Sequence, residues 1–376
     1  MKIGYIIYTA GHGRGGHFYS LKTIKEEVPL NSHILNIGVN KSPVLENDTQ
    51  YTFIDLKDGW IKAIQRMRKI IISENLTHLH SFDYHSLIIS SCFSWFLQLP
   101  HIHTKPGGPT PRRHFLRTKY LSVFTLEDFK FFLTAKHSHI KVLELITNRV
   151  NNFELSRDLQ LDHENFLKNK IVLMRVARIS KSYQNSILQT IKLAMELKEL
   201  GHKICILLIG VVECQEAYKL IKSKVQTNDI LILTDDYYTI NAKRLLSYAD
   251  IVLGAGRSFM EGVFSGAIVL SPTVDSDMPE LIDQSNYEAF KESNFTGRNI
   301  KTNGSNVIEK LEILLSSKSE RENYSNFLKD VYIKDFCIKE GVKKYIKLYN
   351  RCNEPNGVID TAINFLHFLV KIIMSR

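Results

Sequence analysis

Short apolar runs recur along the whole chain, each followed by a stretch of helical length, and this alternation limits the possible folds more than any other feature. Residues 2–8 (KIGYIIY), 33–38, 52–55, 77–80 and 100–103 read as strands, with helices over 59–75 and 85–98. Residues 121–135 read as a further strand and helix. The pattern restarts at 170–210 with strand, loop, helix and strand, continues with a helix near 214–226, the strand DILIL at 229–233 and the helix NAKRLLSYAD, and ends in ADIVLGAGRSFMEGVFSGAIVLSP, residues 249–272. Crossovers of this length join parallel strands. A chain of 376 residues is long enough for two such cores, so the expected class is α/β with two doubly wound, Rossmann-like domains.

The polar stretch around 148–168 is the best boundary between them. It gives an N-terminal domain over 1–155 and a second over 168–335, and a helix over 336–352 is free to return to the first. PELIDQ, residues 279–284, reads as the start of a short helix, and longer helices are expected near 305–317 and 319–350. After the polar NEPNG comes an apolar segment, 358–376, with Phe365, Leu366, Phe368, Leu369, Val370, Ile372 and Ile373. It suits a helix resting on a membrane surface as well as one closing the core.

A net charge of +10 and a pI near 9.2 favour acidic partners: nucleic acid, an anionic membrane face or a nucleotide-activated substrate. No RNA- or DNA-binding module is legible, which argues against nucleic acid. Cys92, Cys205, Cys214, Cys337 and Cys352 show no CxxC or Cys/His spacing, so neither a disulfide framework nor a metal site is expected. The opening MKIGYIIYTAGHG reads as a strand rather than a signal peptide. The expected location is cytoplasmic, with the apolar tail compatible with the inner face of the cell membrane.

In an open α/β sheet, ligands bind where strands end and helices begin. Five segments there carry chemistry. The turn after the first strand holds Gly11, Gly13, Gly15 and Gly16; it matches neither a dinucleotide fingerprint nor a P-loop, yet Gly15 and Gly16, with Arg14, suit a phosphate. LHSFDYH brings His80, Ser81, Asp83 and His85 to a strand end, where Asp83 could take a hydroxyl proton or serve only structure. PGGPTP must be a loop, flanked by His101, His103, Lys105, Arg112, Arg113, His114 and Arg117; His103, Lys105, Gly107, Gly108 and Arg112 are candidates for an acceptor or phosphate clamp. In the second domain a strand apolar except for Arg175 delivers Arg178 and Lys181, two cations suited to a diphosphate. Gly254, Gly256, Arg257, Ser258 and Glu261 complete the set, unless Ser258 and Glu261 merely form a capping box.

This constellation resembles the GT-B glycosyltransferases, in particular the retaining family-4 enzymes (glycosyl transferases group 1) of bacterial surface polysaccharide synthesis. The likeness runs from residue 1 to about 350 and is strongest over 170–285. It implies two Rossmann-like domains facing across a cleft. It also implies transfer of a sugar from a nucleotide diphosphate donor to a hydroxyl acceptor, glycan or lipid-linked, in capsule, O-antigen or other cell-surface glycan synthesis. The nucleotide sugar would be a co-substrate, with no further cofactor and no metal. VARISK resembles the family's donor-diphosphate segment, which assigns Arg178 and Lys181. MEGVFSG resembles its E-A-M-x-x-G helix, which makes Glu261 a ribose contact. LTDDYYTI, with Asp235, lies where the family recognises the base, and LITNRV resembles the segment before its linker.

Two departures matter. Leu253 stands where the family carries a first, sugar-binding glutamate, so that role is unfilled or passes to Arg257, Ser258 or backbone amides. KPGG replaces the family's T-x-H-G, leaving Lys105 or His103 as the nearest candidates. The resemblance also admits a nucleotide-sugar 2-epimerase of the same fold, which needs several acid/base carboxylates, and a degenerate subunit supporting a partner transferase.

Overall fold

The computed structural model describes residues 1–108, 110–111, 115–225, 229–298, 300–302 and 306–374. The chain forms two compact units, one of Met1–Asn151 with Ile338–Arg376 and the other of Asn152–Cys337.

In the first unit β1 (Lys2–Thr9), α1 (Gly16–Glu27), β2 (Asn31–Gly38), β3 (Tyr51–Asp55), α2 (Trp60–Ser73), β4 (His78–Ser81), α3 (Tyr84–Leu97), β5 (His101–Lys105), β6 (Tyr120–Val123), α4 (Leu126–Phe132) and β7 (Val142–Leu145) follow one another. The sheet order is β3-β2-β1-β4-β5-β6-β7, and every pairing is parallel. The order reverses between β1 and β4, so their carboxyl ends flank the natural ligand crevice of this sheet.

The second unit runs α5 (Leu161–Leu167), β8 (Ile171–Val176), α6 (Gln184–Glu199), β9 (Ile204–Ile209), α7 (Gln215–Ser223), β10 (Ile230–Leu233), α8 (Asp236–Thr239), β11 (Ile251–Leu253), α9 (Arg257–Ser265), β12 (Ile268–Ser271), β13 (Glu280–Leu281), α10 (Tyr287–Glu292), α11 (Val307–Ser316) and α12 (Lys318–Val331). Its order, β10-β9-β8-β11-β12-β13, reverses between β8 and β11. The chain then returns to the first unit through α13 (Ile338–Arg351) and α14 (Val358–Met374). Tyr345, Leu348, Tyr349 and Cys352 pack into the same core as Ile3, Tyr5 and Phe18, which is why this late helix belongs to the first sheet.

Four local readings differ from the sequence expectation. PELIDQ begins no helix: Glu280 and Leu281 pair antiparallel with Ser271 and Leu270 and close the sheet edge. NAKRLLSYAD winds as a 3-10 turn over Ala242–Tyr248 rather than an α-helix. The stretch 319–350 is two helices, interrupted by a π turn at Tyr332–Phe336 and by extended backbone at Cys337. The polar stretch 148–168 contains α5, and the units divide near its start.

Candidate functional site

At the switch point of the second unit, Arg175 organises the strand ends. It sits on β8 in register with Leu253 of β11 and is 1% exposed. Its Nη1 donates to the Leu253 carbonyl at 2.9 Å and its Nη2 to Ser186 Oγ at 2.8 Å. Burial pulls its pKa down to about 10, which still leaves it charged at neutral pH. A buried cation held by a strand-end carbonyl and a helix hydroxyl fixes where β11 stops and the next turn starts. It was visible in the sequence only as one charge in an apolar strand.

That turn, Gly254 to Gly256, feeds α9. Gly256 is the N-cap, with φ 55° and ψ −122°, a conformation open to glycine, and its N–H donates to the Asn294 carbonyl at 2.9 Å. Ser258 is therefore inside the helix rather than capping it. Its Oγ accepts from Ala255 N and donates to Ala255 O, both at 3.1 Å, which holds the turn shut. Glu261 lies a full turn into α9, so the capping-box alternative does not describe it. Its Oε1 accepts from Arg257 Nε at 2.8 Å, in a pair whose side chains are 11% and 8% exposed. Leu253 is fully buried in β11, closed to any ligand.

Beyond β8, Arg178 and Lys181 reach the same edge of the sheet. Arg178 Nη1 lies 3.1 Å from Glu213 Oε1, and its guanidinium sits 5.2 Å over the Tyr183 ring. Lys181 pairs with Glu216 at 2.9 Å, both side chains mostly exposed. A solvated pair like Lys181–Glu216 holds its partners only weakly, so a multiply charged phosphate can take the lysine from its carboxylate. Asp235 is the N-cap of the short α8, with no side-chain cap bond, at the end of β10 two strands from β8.

In the first unit the candidates divide differently. Asp83 spans the switch point: Oδ2 accepts from Tyr8 N at 2.7 Å and Oδ1 from Ser86 N at 2.8 Å, completing a capping box on α3. Withdrawal from water pushes its pKa up to about 6. This carboxylate is engaged in joining β1 to α3. Asp83→Ala should therefore lower the unfolding free energy by about 1–2 kcal/mol, read from urea denaturation; an unchanged midpoint would return Asp83 to the list of acid/base candidates.

Lys105 Nζ is 2.8 Å from Asp128 Oδ2, in a nearly buried pair, and also donates to the Gly107 carbonyl at 3.3 Å. Gly107 and Gly108 follow with φ of 23° and 87°. Arg112, Arg113 and His114 lie outside the described residues. His103 faces inward rather than toward the loop: it is 1% exposed, and its Nδ1 bonds Ser81 Oγ at 2.9 Å. In the first turn the tightly placed glycine is Gly13, which the sequence reading did not single out. It has φ 65°, a Cβ there would meet Ser42 Cα at 2.8 Å, and its carbonyl accepts from Ser42 Oγ at 2.6 Å. Gly15 caps α1 with ordinary extended angles, and Gly16 has open space around it.

No known family profile and no curated protein matches the sequence. Solved structures do. A glycosyltransferase from Rickettsia africae superposes with a TM-score of 0.64 at 14% identity, covering 93% of this chain and 98% of its own. HepE of Anabaena, in complex with UDP and glucose, gives 0.66 at 11% identity, over 92% and 99% of the two chains. The UDP-GlcNAc 2-epimerase of Neisseria meningitidis gives 0.53 at 11% identity, over 93% and 100%. The fold is GT-B. In the second sheet Arg178 and Lys181 follow β8 and the Gly254–Gly256 turn and Glu261 follow β11, the two strands at its switch point; in the first sheet Asp83 follows β4 and the Gly13 turn follows β1.

Proposed function

We propose that this protein is a glycosyltransferase that moves a hexose from a nucleotide diphosphate donor to a hydroxyl acceptor in cell-surface glycan synthesis, with retention of configuration and without a metal. The observation that carries the reading is the set at the ends of β8 and β11: two basic side chains, Arg178 paired with Glu213 beside the Tyr183 ring and Lys181 paired with an exposed Glu216, a glycine turn, and a helix whose first-turn N–H groups have no partner within the helix. As the donor breaks, negative charge grows on the departing diphosphate. Arg178, Lys181 and the α9 amides would meet that charge, lowering the barrier because they bind the leaving group more strongly than the intact donor. Glu261, already oriented by Arg257, would accept from the ribose hydroxyls. Asp235 would lie toward the base. With Leu253 buried, the sugar would be held by Ser258, Arg257 or backbone amides. The HepE complexes with UDP and UDP-glucose support a uridine nucleotide as the first donor to try.

The test is nucleoside diphosphate release from a panel of UDP- and GDP-sugars, with and without acceptor extract. Release with one donor is expected, and Arg178→Ala combined with Lys181→Ala should lower turnover by about 10²-fold while leaving the melting temperature in place. Glu261→Gln should weaken donor binding by about tenfold. Absence of turnover and binding with every donor would sink the proposal. Interconversion of the donor sugar without acceptor would instead identify an epimerase, the activity of the Neisseria neighbour.

A further inference from the structure

α14 keeps its polar groups inside. Its inward side carries Thr361 and Asn364, 7% and 1% exposed, with Phe368 between them packed against Leu87, Ile88 and Leu116. Asn364 accepts from Arg117 N at 2.7 Å and donates to Arg117 O at 2.8 Å and Ser91 Oγ at 3.0 Å. Thr361 donates to the Ser91 carbonyl at 3.3 Å. Just before the helix, Asn356 donates to Ser91 Oγ and His101 Nδ1, each at 3.0 Å. The outward side is the opposite, with Val358, Ile359, Phe365, Leu366, Leu369 and Val370 between 39% and 68% exposed. At 100° per residue these six form one continuous stripe with no charge in it. A helix docked on a water-soluble surface has the reverse arrangement. Polar groups satisfied inside and an apolar face outside is the arrangement expected of a helix whose outer side meets hydrocarbon.

The stripe does not stand alone. Phe368, on its flank, meets Trp60 at the start of α2 edge-on at 6.2 Å between ring centres. Trp60, Ile61 and Ile64 of α2 are 44%, 75% and 50% exposed. On this helix, which carries no acidic residue, Arg68 lies between Ile61 and Ile64 at 100° per residue, Lys62 and Lys69 are exposed on the outer side, and Arg66 is exposed on the opposite flank. Arg68 lies 5.9 Å over the ring of Phe96, at the end of α3, where Trp95 is also exposed. Trp60, packed on Phe368, has the placement such rings favour at a membrane boundary.

We infer that α14 and the exposed side of α2 form a docking surface for an anionic phospholipid bilayer, with the α14 stripe and Trp60 at the headgroup boundary and the α2 cations against acidic headgroups. Charge selects this occupant. A second copy of the chain would bring like charges together along α2, which disfavours self-pairing, whereas acidic lipid complements them. No helix among the described residues is long and apolar enough to cross a membrane, so the surface lies on the bilayer. The inference is independent of the sugar-transfer reading.

The test uses the full-length protein with vesicles of phosphatidylcholine, alone or mixed with phosphatidylglycerol, read by co-sedimentation and by tryptophan emission. Binding and a blue shift are expected with the mixed vesicles, and little of either with phosphatidylcholine alone. Lys62→Glu with Arg68→Glu should weaken binding by at least about thirtyfold. Leu366→Ser with Leu369→Ser should abolish the blue shift, with circular dichroism showing that the variants remain folded. No binding to mixed vesicles, or binding that none of these changes weakens, would overturn the inference. So would a concentration-dependent dimer of the parent protein that the two serine changes dissociate, because a second copy would then be the occupant.

Discussion

Acidification from pH 7.5 to pH 5 is expected to destabilise the first unit steeply, well above the pH at which ordinary carboxylates titrate. The cause is three neutral histidines on the central strands β4 and β5. His80 is fully buried, with Nδ1 at 2.8 Å from Tyr349 Oη and Nε2 at 2.7 Å from Thr104 Oγ1. His101 Nε2 is 2.8 Å from Ser81 Oγ, which also meets His103 Nδ1 at 2.9 Å. The proton positions follow from the partners. The Asn356 amide nitrogen donates to His101 Nδ1, so His101 carries its proton on Nε2 and gives it to Ser81. The single Ser81 proton then goes to His103 Nδ1, leaving His103 protonated on Nε2. A second proton, on His101 Nδ1, would face the Asn356 amide donor.

Burial holds all three below the ordinary histidine range, His101 at about 3 and the other two well down. The sign follows. The unfolded chain binds protons near pH 6.5 where the folded chain does not, so stability is complete above that pH and falls as pH drops. Each histidine contributes a slope of about 1.4 kcal/mol per pH unit, and for His101 alone the window from 6.5 to about 3 amounts to roughly 5 kcal/mol. Asp83 acts the other way: raised to about 6, it takes up its proton in the folded state first and offsets one histidine over its own window. Two remain uncompensated, and between pH 6.5 and pH 5 they amount to about 4 kcal/mol, a large share of the lower end of the about 5–15 kcal/mol typical of a domain. Urea midpoints measured between pH 7.5 and pH 5 check this. Flat midpoints would refute it, and His80→Gln should make the slope shallower by the share of one proton.

The same histidines explain where sequence reading succeeded and where it stopped. The parallel sheets were legible because apolar runs alternate with helices of crossover length, and the positions of β1, β8, β9 and β11 follow from that alone. The sequence HIHTK looked like site chemistry because it is polar and ends a strand. In the structure β5 is buried along its whole length, and its histidines and threonine bond Ser81 and His80 of β4, Ser122 of β6 and Asn356 of the segment before α14. Those partners lie up to 255 residues away along the chain, so no local pattern announces them. Lys105 has a partner of the same hidden kind: Asp128, 23 positions on, pairs with it out of sight of any motif. The second-unit site was easier to read because its parts are local: Arg257, Ser258 and Glu261 lie on one short helix after one turn. The outward face of α14 was half legible. Its apolar content was plain, but which side faced outward depended on Ser91 and Arg117.

Gly254→Ala is expected to damage the second unit and its proposed donor site together. A Cβ on Gly254 would stand 2.5 Å from Phe259 N, 2.7 Å from Phe259 Cα and 2.8 Å from the Ser258 carbonyl carbon, all backbone of the first turn of α9. Neither side can give way cheaply. β11 is held between β8 and β12, and the Gly254 N–H is bonded to the Leu270 carbonyl at 2.9 Å. Phe259 is 1% exposed and stacked on Phe295 at 3.8 Å with ring planes 7° apart. Overpacking of this kind costs about 1–3 kcal/mol, and its relief must move the start of α9, carrying the Ser258 hydroxyl, the first-turn amides and the Arg257–Glu261 pair with it. A loss of nucleotide-sugar affinity of at least about tenfold should therefore accompany the lower melting temperature, because a shift of one ångström at such a site is enough to misplace its donors. Gly16→Ala is the internal control. Gly16 opens α1, nothing lies within 4 Å of a Cβ built there, and its φ is not positive, so alanine should leave stability unchanged or raise it by a few tenths of a kcal/mol. Equal effects at Gly254 and Gly16 would mean that close backbone approach is not what the Gly254 turn provides.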